Sequence, residues 1–210
     1  MINGVSPAWA SFKMIEDFSR YEVGKFPTGF RTYPFQRSKA MRVYRVLKED
    51  GDHFLEGKDE GGLSVQVFRR FPWNLPSRPI LSWKWRAHVL PQRAAENNPE
   101  ANDSACGVYV VFGGYRGRAL KYVWSSTLPR GQMIEKNPNQ FFFIVLESGP
   151  QKVGSWQKVR VNIWDDYQKA FLKKPSQNPD GFGILTDGNA TKSLAVCDYD
   201  DFQVEAGDSP

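Results

Sequence analysis

The most regular stretch of the sequence is Ile80–Val89, which reads ILSWKWRAHV. Apolar side chains occupy every second position from Leu81 to Val89, and polar or basic side chains fill the positions between them. A period of two residues is typical of a β-strand with one face in a hydrophobic core and the other in solvent. We therefore expect this stretch to be a strand that buries Trp83 and Trp85.

Similar segments occur on both sides of this strand, from one end of the chain to the other. Residues 41–48 and 63–68 alternate in the same way, whereas residues 108–112 and 141–146 are almost continuously apolar, as in strands covered on both faces. Clusters of Gly and Asp between the segments predict turns. Roughly ten to twelve strands of this kind are typical of a two-sheet sandwich.

One segment, residues 165–171, predicts a helix because it opens with two carboxylates, which the positive end of a helix dipole favours. The predicted fold class is therefore all-β, a two-sheet antiparallel β-sandwich of the jelly-roll type with one short helix. No shift in composition divides the chain, so the sequence predicts a single domain over residues 1–210.

Composition excludes several classes of protein. The 210 residues are 40% hydrophobic and 14% aromatic, which argues against a disordered chain. The sequence lacks an apolar run of about 18 residues, so no membrane span is predicted. The net charge of +5 comes from scattered Lys and Arg rather than from a basic stripe, so we predict no nucleic-acid partner, although a basic face can attract an acidic polysaccharide.

Two cysteines, Cys106 and Cys197, each lie in an apolar, strand-like segment. Their number and spacing match neither a zinc site nor a disulfide-rich scaffold. Two interpretations stay open: buried free thiols, or a disulfide if the two strands are neighbours and the compartment is oxidising.

A series of short segments, taken in order along the chain, resembles the bacterial domain-of-unknown-function 3047 family of β-sandwich proteins. The segments are residues 17–19, 27–30, 81–86, 108–112, 120–125, 166–171 and 186–191. The resemblance implies a sandwich fold and no established activity. It also implies export, because members of the family often carry signal peptides. The first residues, Met1 to Gly4, do not have the pattern of such a peptide. We therefore expect a periplasmic or extracellular protein whose signal peptide is not in this chain, and a cytoplasmic location is the alternative.

A second resemblance is to jelly-roll carbohydrate-binding modules, which carry acids near the first strand and paired acids in the last. Glu16, Asp17, Asp200 and Asp201 occupy those places. The resemblance implies that the four acids meet where the first and last strands pair. Carboxylates in such a group can bind calcium, so they are the candidate ligands of a structural calcium, and no other cofactor is expected. The alternative is that they only solvate turns and strand edges.

Aromatic side chains outside the core are candidates for binding sugars, because sugar rings stack on flat aromatic faces. Trp73, Tyr115 and Trp164 fall in predicted loops or next to the predicted helix, so we predict that they form a ligand-binding surface, with Arg116 and Arg118 engaging acidic groups. The alternative for each aromatic residue is a cap over one end of the sandwich.

The function that these observations favour is non-catalytic recognition of a glycan or cell-envelope polysaccharide. One alternative is a polysaccharide-degrading enzyme. A hydrolase would use Asp165, Asp166 or Asp187, and a lyase would use Tyr122 and Arg86. Another alternative is an envelope structural or assembly protein that binds a second protein.

Overall fold

The computed structural model describes residues 12–114 and 117–207. Within them, twelve β-strands form two sheets of six. The strands are β1 (Phe12–Glu16), β2 (Tyr44–Glu49), β3 (Asp52–Asp59), β4 (Val67–Arg70), β5 (Ile80–Val89), β6 (Cys106–Phe112), β7 (Arg118–Ser125), β8 (Met133–Asn137), β9 (Phe141–Ser148), β10 (Gln157–Asn162), β11 (Gly181–Ile184) and β12 (Ala195–Glu205). The helices are α1 (Arg37–Val43), α2 (Ile163–Phe171) and a 3-10 turn at Pro99–Ala101.

The strands of the first sheet follow the order β10-β5-β12-β3-β2, and β1 pairs with the second half of β12. The second sheet has the order β4-β11-β6-β7-β9-β8. From β3 to β6, and again from β9 to β12, each connection passes from one sheet to the other, which is how a jelly roll wraps its chain. The predicted β-sandwich is confirmed, and so is pairing between its first and last strands.

Two details differ from the prediction. The pairs are antiparallel except for β7 and β9, which run parallel. A second helix, α1, covers the start of a segment predicted as strand, and the strand begins only at Tyr44. Alternation masked this helix because Val43 fits both periods: together with Ala40, three residues earlier, it forms the buried side of α1. Helices α1 and α2 have seven and nine residues. No helix in the described residues is long and apolar enough to cross a membrane.

The core between the sheets is rich in aromatic side chains. Trp83 and Trp85 of β5 are fully buried there, as predicted. Trp83 stacks on Phe202 of β12, and Trp85 packs against Trp124 of β7 in the opposite sheet. Because one face of each sheet is used in this contact, any ligand must approach an outer face or an edge.

A disulfide joins Cys106 of β6 to Cys197 of β12 and so connects the two sheets. The interpretation as free thiols is therefore wrong. Disulfides persist in oxidising compartments, so this bond is consistent with an extracytoplasmic protein.

Candidate functional site

The outer face of the second sheet carries a continuous row of large side chains. Pairing register places Tyr109 of β6 beside Lys121 of β7, and Lys121 beside Phe143 of β9. On the other side of Tyr109 the row continues through Gly183 of β11 to Phe68 of β4. All of these side chains point away from the core because alternate residues of a strand share a face.

A groove of about 780 Å³, the outer groove, crosses this face. Gly181 of β11 lies in its lining, and Gly183, two residues further along the strand, faces the same side of the sheet. A Cβ atom on Gly183 would lie 2.9 Å from the Phe68 ring, which leans over the strand. Gly183 therefore leaves the space that the Phe68 ring occupies.

Aromatic rings form much of the groove lining. Phe141 of β9 stacks on Tyr109 with the ring centroids 5.7 Å apart. Tyr33 meets the Phe68 ring edge to face at 5.2 Å. Phe141 and Phe68 are only partly buried, so part of each ring remains available to a ligand.

The rim of the outer groove is mainly basic. Arg31 and Arg70 line it and are exposed, and in the described part of the chain neither lies within 4.0 Å of a carboxylate. Asp180 is the acidic residue of the lining, and its side chain accepts a hydrogen bond from the backbone N–H of Gly114. The rim thus presents positive charge to a ligand.

A second cavity of about 320 Å³, the lysine cavity, adjoins the outer groove and shares Tyr33, Gln66, Tyr109 and Phe141 with it. Lys121 and Asp187 lie in its lining. Burial raises the pKa of Asp187 to about 6, and the nearby Lys121 charge opposes this rise. Burial of the Lys121 side chain lowers its pKa, and the negative charges of Asp187, Glu96 and Asp103 oppose that decrease.

Trp73 was predicted to be a free aromatic ring that binds sugar, and the structure corrects this prediction. It is only 6% exposed and belongs to the core, and its indole N–H donates to the backbone carbonyl of Arg78. A loop position did not leave the ring free, because the loop folds back over the sandwich. Trp164 is partly buried on α2 and packs against the core, away from the lining of the outer groove.

Of the remaining predicted ligand residues, Arg118 lines the outer groove, where its side chain donates to the backbone carbonyl of Asn139 and to the Tyr167 hydroxyl. Tyr115 and Arg116 lie outside the described residues. Their neighbours Gly114 and Gly117 line the groove.

The five candidate catalytic residues do not form one site. Tyr122 is buried on the inner face of β7 and donates to the half-buried carboxylate of Asp166 at 2.9 Å. Asp165 is exposed at the start of α2, and Arg86 binds Asp198 and Glu49 in the first sheet. Asp187, the fifth of them, lies beside the outer groove, in the lysine cavity.

The four candidate calcium ligands each have another partner. Glu16 is buried against Arg20 and Arg69, and Asp17 accepts from Ser19. Asp200 and Asp201 lie 3.0 and 3.2 Å from the ammonium group of Lys84. Among the described residues, no group of three or more His, Cys, Asp or Glu side chains is placed to hold a metal ion. Because cations of the protein already face these carboxylates, the calcium site stays a prediction that the geometry does not support.

Sequence reasoning missed the floor of the groove. Residues 108–112 and 141–146 were expected to be covered on both faces, yet Tyr109 and Phe141 face the groove. Two signals point there: the spacing of Gly181 and Gly183 in the strand GFGI, and the charged Lys121 between apolar and aromatic neighbours in β7.

A family model described as "Protein of unknown function (DUF3047)" matches residues 28–203. The chain belongs to the DUF3047 family. The matched range includes every strand from β2 to β11 and most of β12, and thus both the outer groove and the lysine cavity. No curated protein matches the sequence.

Several solved structures share the general shape of this DUF3047 chain. One is the family 11 carbohydrate-binding module from Clostridium thermocellum with a β-1,3-1,4-mixed-linked tetrasaccharide, at TM-score 0.44 and 8% identity, covering 93% of this chain and 96% of that one. Another is the Emp47p carbohydrate recognition domain, at TM-score 0.47 and 11% identity, covering 93% and 95%. The solution structure of CtCBM11 has TM-score 0.47 and 8% identity and covers 97% and 100%.

Proposed function

We propose that this protein binds a glycan chain along the outer groove without cleaving it. The observation that carries the proposal is the groove itself, an open channel of about 780 Å³ across a sheet face, lined by partly exposed aromatic rings. Sugars present apolar ring faces that stack on such rings, and polar side chains at the rim orient their hydroxyl groups.

The positive charge of the rim indicates which class of glycan binds. Arg31, Arg70 and Arg118 line the groove together with a single described carboxylate, that of Asp180. Basic rims attract acidic polymers and increase the rate of encounter. An acidic polysaccharide is therefore the preferred class, and neutral glycans are expected to bind more weakly.

The first test is a glycan array probed with the purified protein, with and without calcium, followed by an assay for cleavage products on every hit. The proposal predicts binding to acidic polysaccharides without product. If no glycan binds, the proposal fails, and a protein partner becomes the leading hypothesis.

Variants locate the binding surface. In Phe141→Ala we expect the affinity for the strongest hit to fall about tenfold or more, because a stacking ring is lost from the floor. Matched controls are Trp164→Ala on α2 and Trp156→Ala, whose ring packs against Arg86 on the first sheet. A loss in either control, with full binding in Phe141→Ala, would place the ligand elsewhere.

A second candidate function, a polysaccharide-degrading enzyme, is favoured by Asp187. Its pKa of about 6 and its position in a cavity that joins the groove suit a general acid. An enzyme predicts products in the assay above, and Asp187→Asn would abolish them while the affinity stayed unchanged.

A further inference from the structure

Lys121 is a buried cation on the functional face of the molecule. It is 2% exposed, and its ammonium group lies 5.3 Å from the ring centre of Tyr109 and 4.6 Å from that of Phe143. Aromatic faces attract a cation but do not neutralise it. An ammonium group removed from water still requires an anion or hydrogen-bond acceptors.

The backbone below is shaped to hold this side chain. A Cβ atom on Gly107 of β6 would lie 2.8 Å from Cε of Lys121 and 3.7 Å from its nitrogen. The lysine therefore lies across the glycine, where any other residue would displace it. This position brings its ammonium group to the lining of the lysine cavity.

The described part of the chain places no direct counter-ion beside Lys121. In residues 12–114 and 117–207, no carboxylate lies within 4.0 Å of the Lys121 ammonium group. Asp187, Glu96 and Asp103 act on Lys121 only through longer-range attraction. The other cation facing this cluster is Lys136, which lies over the Phe143 ring and donates to the backbone carbonyl of Glu96.

The surrounding acids are committed to other partners. Glu96 accepts from Ser104 and Ser125 at 2.9 and 2.6 Å. Asp103 accepts from the hydroxyl and the backbone N–H of Thr191. Asp187 accepts from Ser64 and from the backbone N–H of Asn189. None of the three is free to turn toward the lysine without breaking these bonds.

We propose that the lysine cavity is an anion subsite, in which Lys121 binds one negatively charged substituent of a sugar whose chain lies in the outer groove. The substituent is a uronate carboxylate or a sugar sulfate, and both offer the oxygen acceptors that the ammonium group lacks. The amide group of Gln66 in the same lining can donate to one of the remaining oxygens, whereas the Ser64 hydroxyl already donates to Asp187. This subsite rests on the proposed glycan function and names the ligand class that the site selects.

The test compares three tetrasaccharides by calorimetry: tetragalacturonate, a sulfated galactotetraose and neutral galactotetraose. In Lys121→Met we expect the affinity for the preferred acidic ligand to fall at least tenfold, to the level of the neutral one, while the neutral affinity stays within about twofold. The matched control, Lys136→Met, removes a charge over the same Phe143 ring and should keep the acidic preference. A selective loss for tetragalacturonate identifies a carboxylate as the bound substituent, and a selective loss for the sulfated galactotetraose identifies a sulfate.

Gly107→Ala is a second variant in case Lys121→Met does not fold. It keeps the ammonium group but displaces it, and its Cβ atom would also lie 2.9 Å from the backbone carbonyl oxygen of Leu185, so its fold is checked first by circular dichroism. In the folded variant we expect the same selective loss. Unchanged acidic affinity in either folded variant, or an equal loss for acidic and neutral ligands, would overturn the subsite.

A further measurement separates failure of the subsite from failure of glycan binding in general. The pKa of Lys121 is followed by NMR of the 13Cε resonance, assigned with Lys121→Met, in sodium galacturonate, sodium sulfate or galactose. An anion in the cavity raises this pKa, and galactose leaves it unchanged. If polysaccharides do not bind but an anion raises the pKa, the glycan proposal fails and the anion site stands. If neither anion shifts the pKa, the subsite is wrong.

Discussion

Two buried charges, Lys121 and Asp200, lie in different sheets and are compensated differently. Among the described residues the Lys121 ammonium group lies beside aromatic rings and no carboxylate within 4.0 Å, whereas Asp200 lies 3.0 Å from the ammonium group of Lys84. Burial nevertheless raises the pKa of Asp200 to about 7, so its desolvation outweighs the attraction of Lys84. Asp200 therefore destabilises the fold when it is ionised.

This cost predicts a pH dependence. The pKa of Asp200 is higher in the folded than in the unfolded chain, so the folded state binds the proton more tightly and stability falls as the pH rises from about 4 to about 7. We expect Asp200→Asn to increase the free energy of unfolding by about 1–3 kcal/mol at pH 8, with the gain disappearing near pH 4. Urea unfolding at a series of pH values measures the difference.

Asp201→Asn is the matched control because Asp201 contacts the same lysine but is half-exposed. Half-exposed ion pairs contribute little to stability, so its effect at pH 8 should be clearly smaller than that of Asp200→Asn. A gain in Asp200→Asn that is equal at pH 4 and pH 8 would contradict the assignment.

Gly183 shows how a missing side chain shapes β11. Alanine at this position would force the Phe68 ring, 2.9 Å from the new Cβ atom, toward the groove. We expect Gly183→Ala to reduce the free energy of unfolding by about 1–3 kcal/mol, as in other overpacked sites. The displaced ring should also lower the affinity of any ligand that binds in the outer groove. Gly62→Ala is the control, since a Cβ atom there has no neighbour within 4 Å. Thermal unfolding that gives equal melting temperatures for the two variants would rule out the clash.

The stability of helix α2 depends on the residue that precedes it, Asn162. The Asn162 side chain caps the helix, because its Oδ1 accepts a hydrogen bond from the backbone N–H of Asp165, with 3.1 Å between oxygen and nitrogen. We expect Asn162→Ala to lower the free energy of unfolding by about 1 kcal/mol, whereas Asn162→Asp keeps an acceptor and should lose far less. Urea denaturation followed by tryptophan fluorescence compares them, and equal losses would show that the cap is not what stabilises α2.

Asp165 and Asp166 were candidates for a catalytic pair, but the helix explains their presence. Both lie in the first turn of α2, where carboxylates stabilise the positive end of the helix. Asp166 also accepts from Tyr122 across the core boundary. Asp166 therefore attaches α2 to the second sheet.

For the molecule as a whole, the disulfide is the main covalent constraint. Cys106 and Cys197 are 91 residues apart in the sequence, so their bond closes a large loop in the unfolded chain. We expect reduction to lower the free energy of unfolding by about 4–5 kcal/mol on the chain-entropy relation for a loop of this length. Urea unfolding with and without a reducing agent measures this loss.

The double variant Cys106→Ala/Cys197→Ala should unfold at the urea concentration of the reduced protein and should not respond to the reducing agent. If the wild-type protein unfolds at the same urea concentration in both conditions, the bond does not contribute to stability in this way.

Much of the architecture could be read from alternation and apolar runs, because strand patterns are local. Trp83 and Trp85 were placed in the core on periodicity alone, and the structure buries both. Helix α1 escaped this reasoning since a seven-residue helix offers only two buried positions, Ala40 and Val43. A pattern this short is compatible with more than one period.

The candidate site could not be assembled in the same way. Tyr109, Lys121 and Phe143 are adjacent only because β6, β7 and β9 pair in a particular register, with β7 and β9 parallel. Strand order and register depend on contacts between residues far apart in the chain, and no local pattern encodes them. Composition and periodicity therefore determined that this chain is a β-sandwich with an aromatic core, while the pairing of distant strands decided which of its aromatic and charged side chains face the groove.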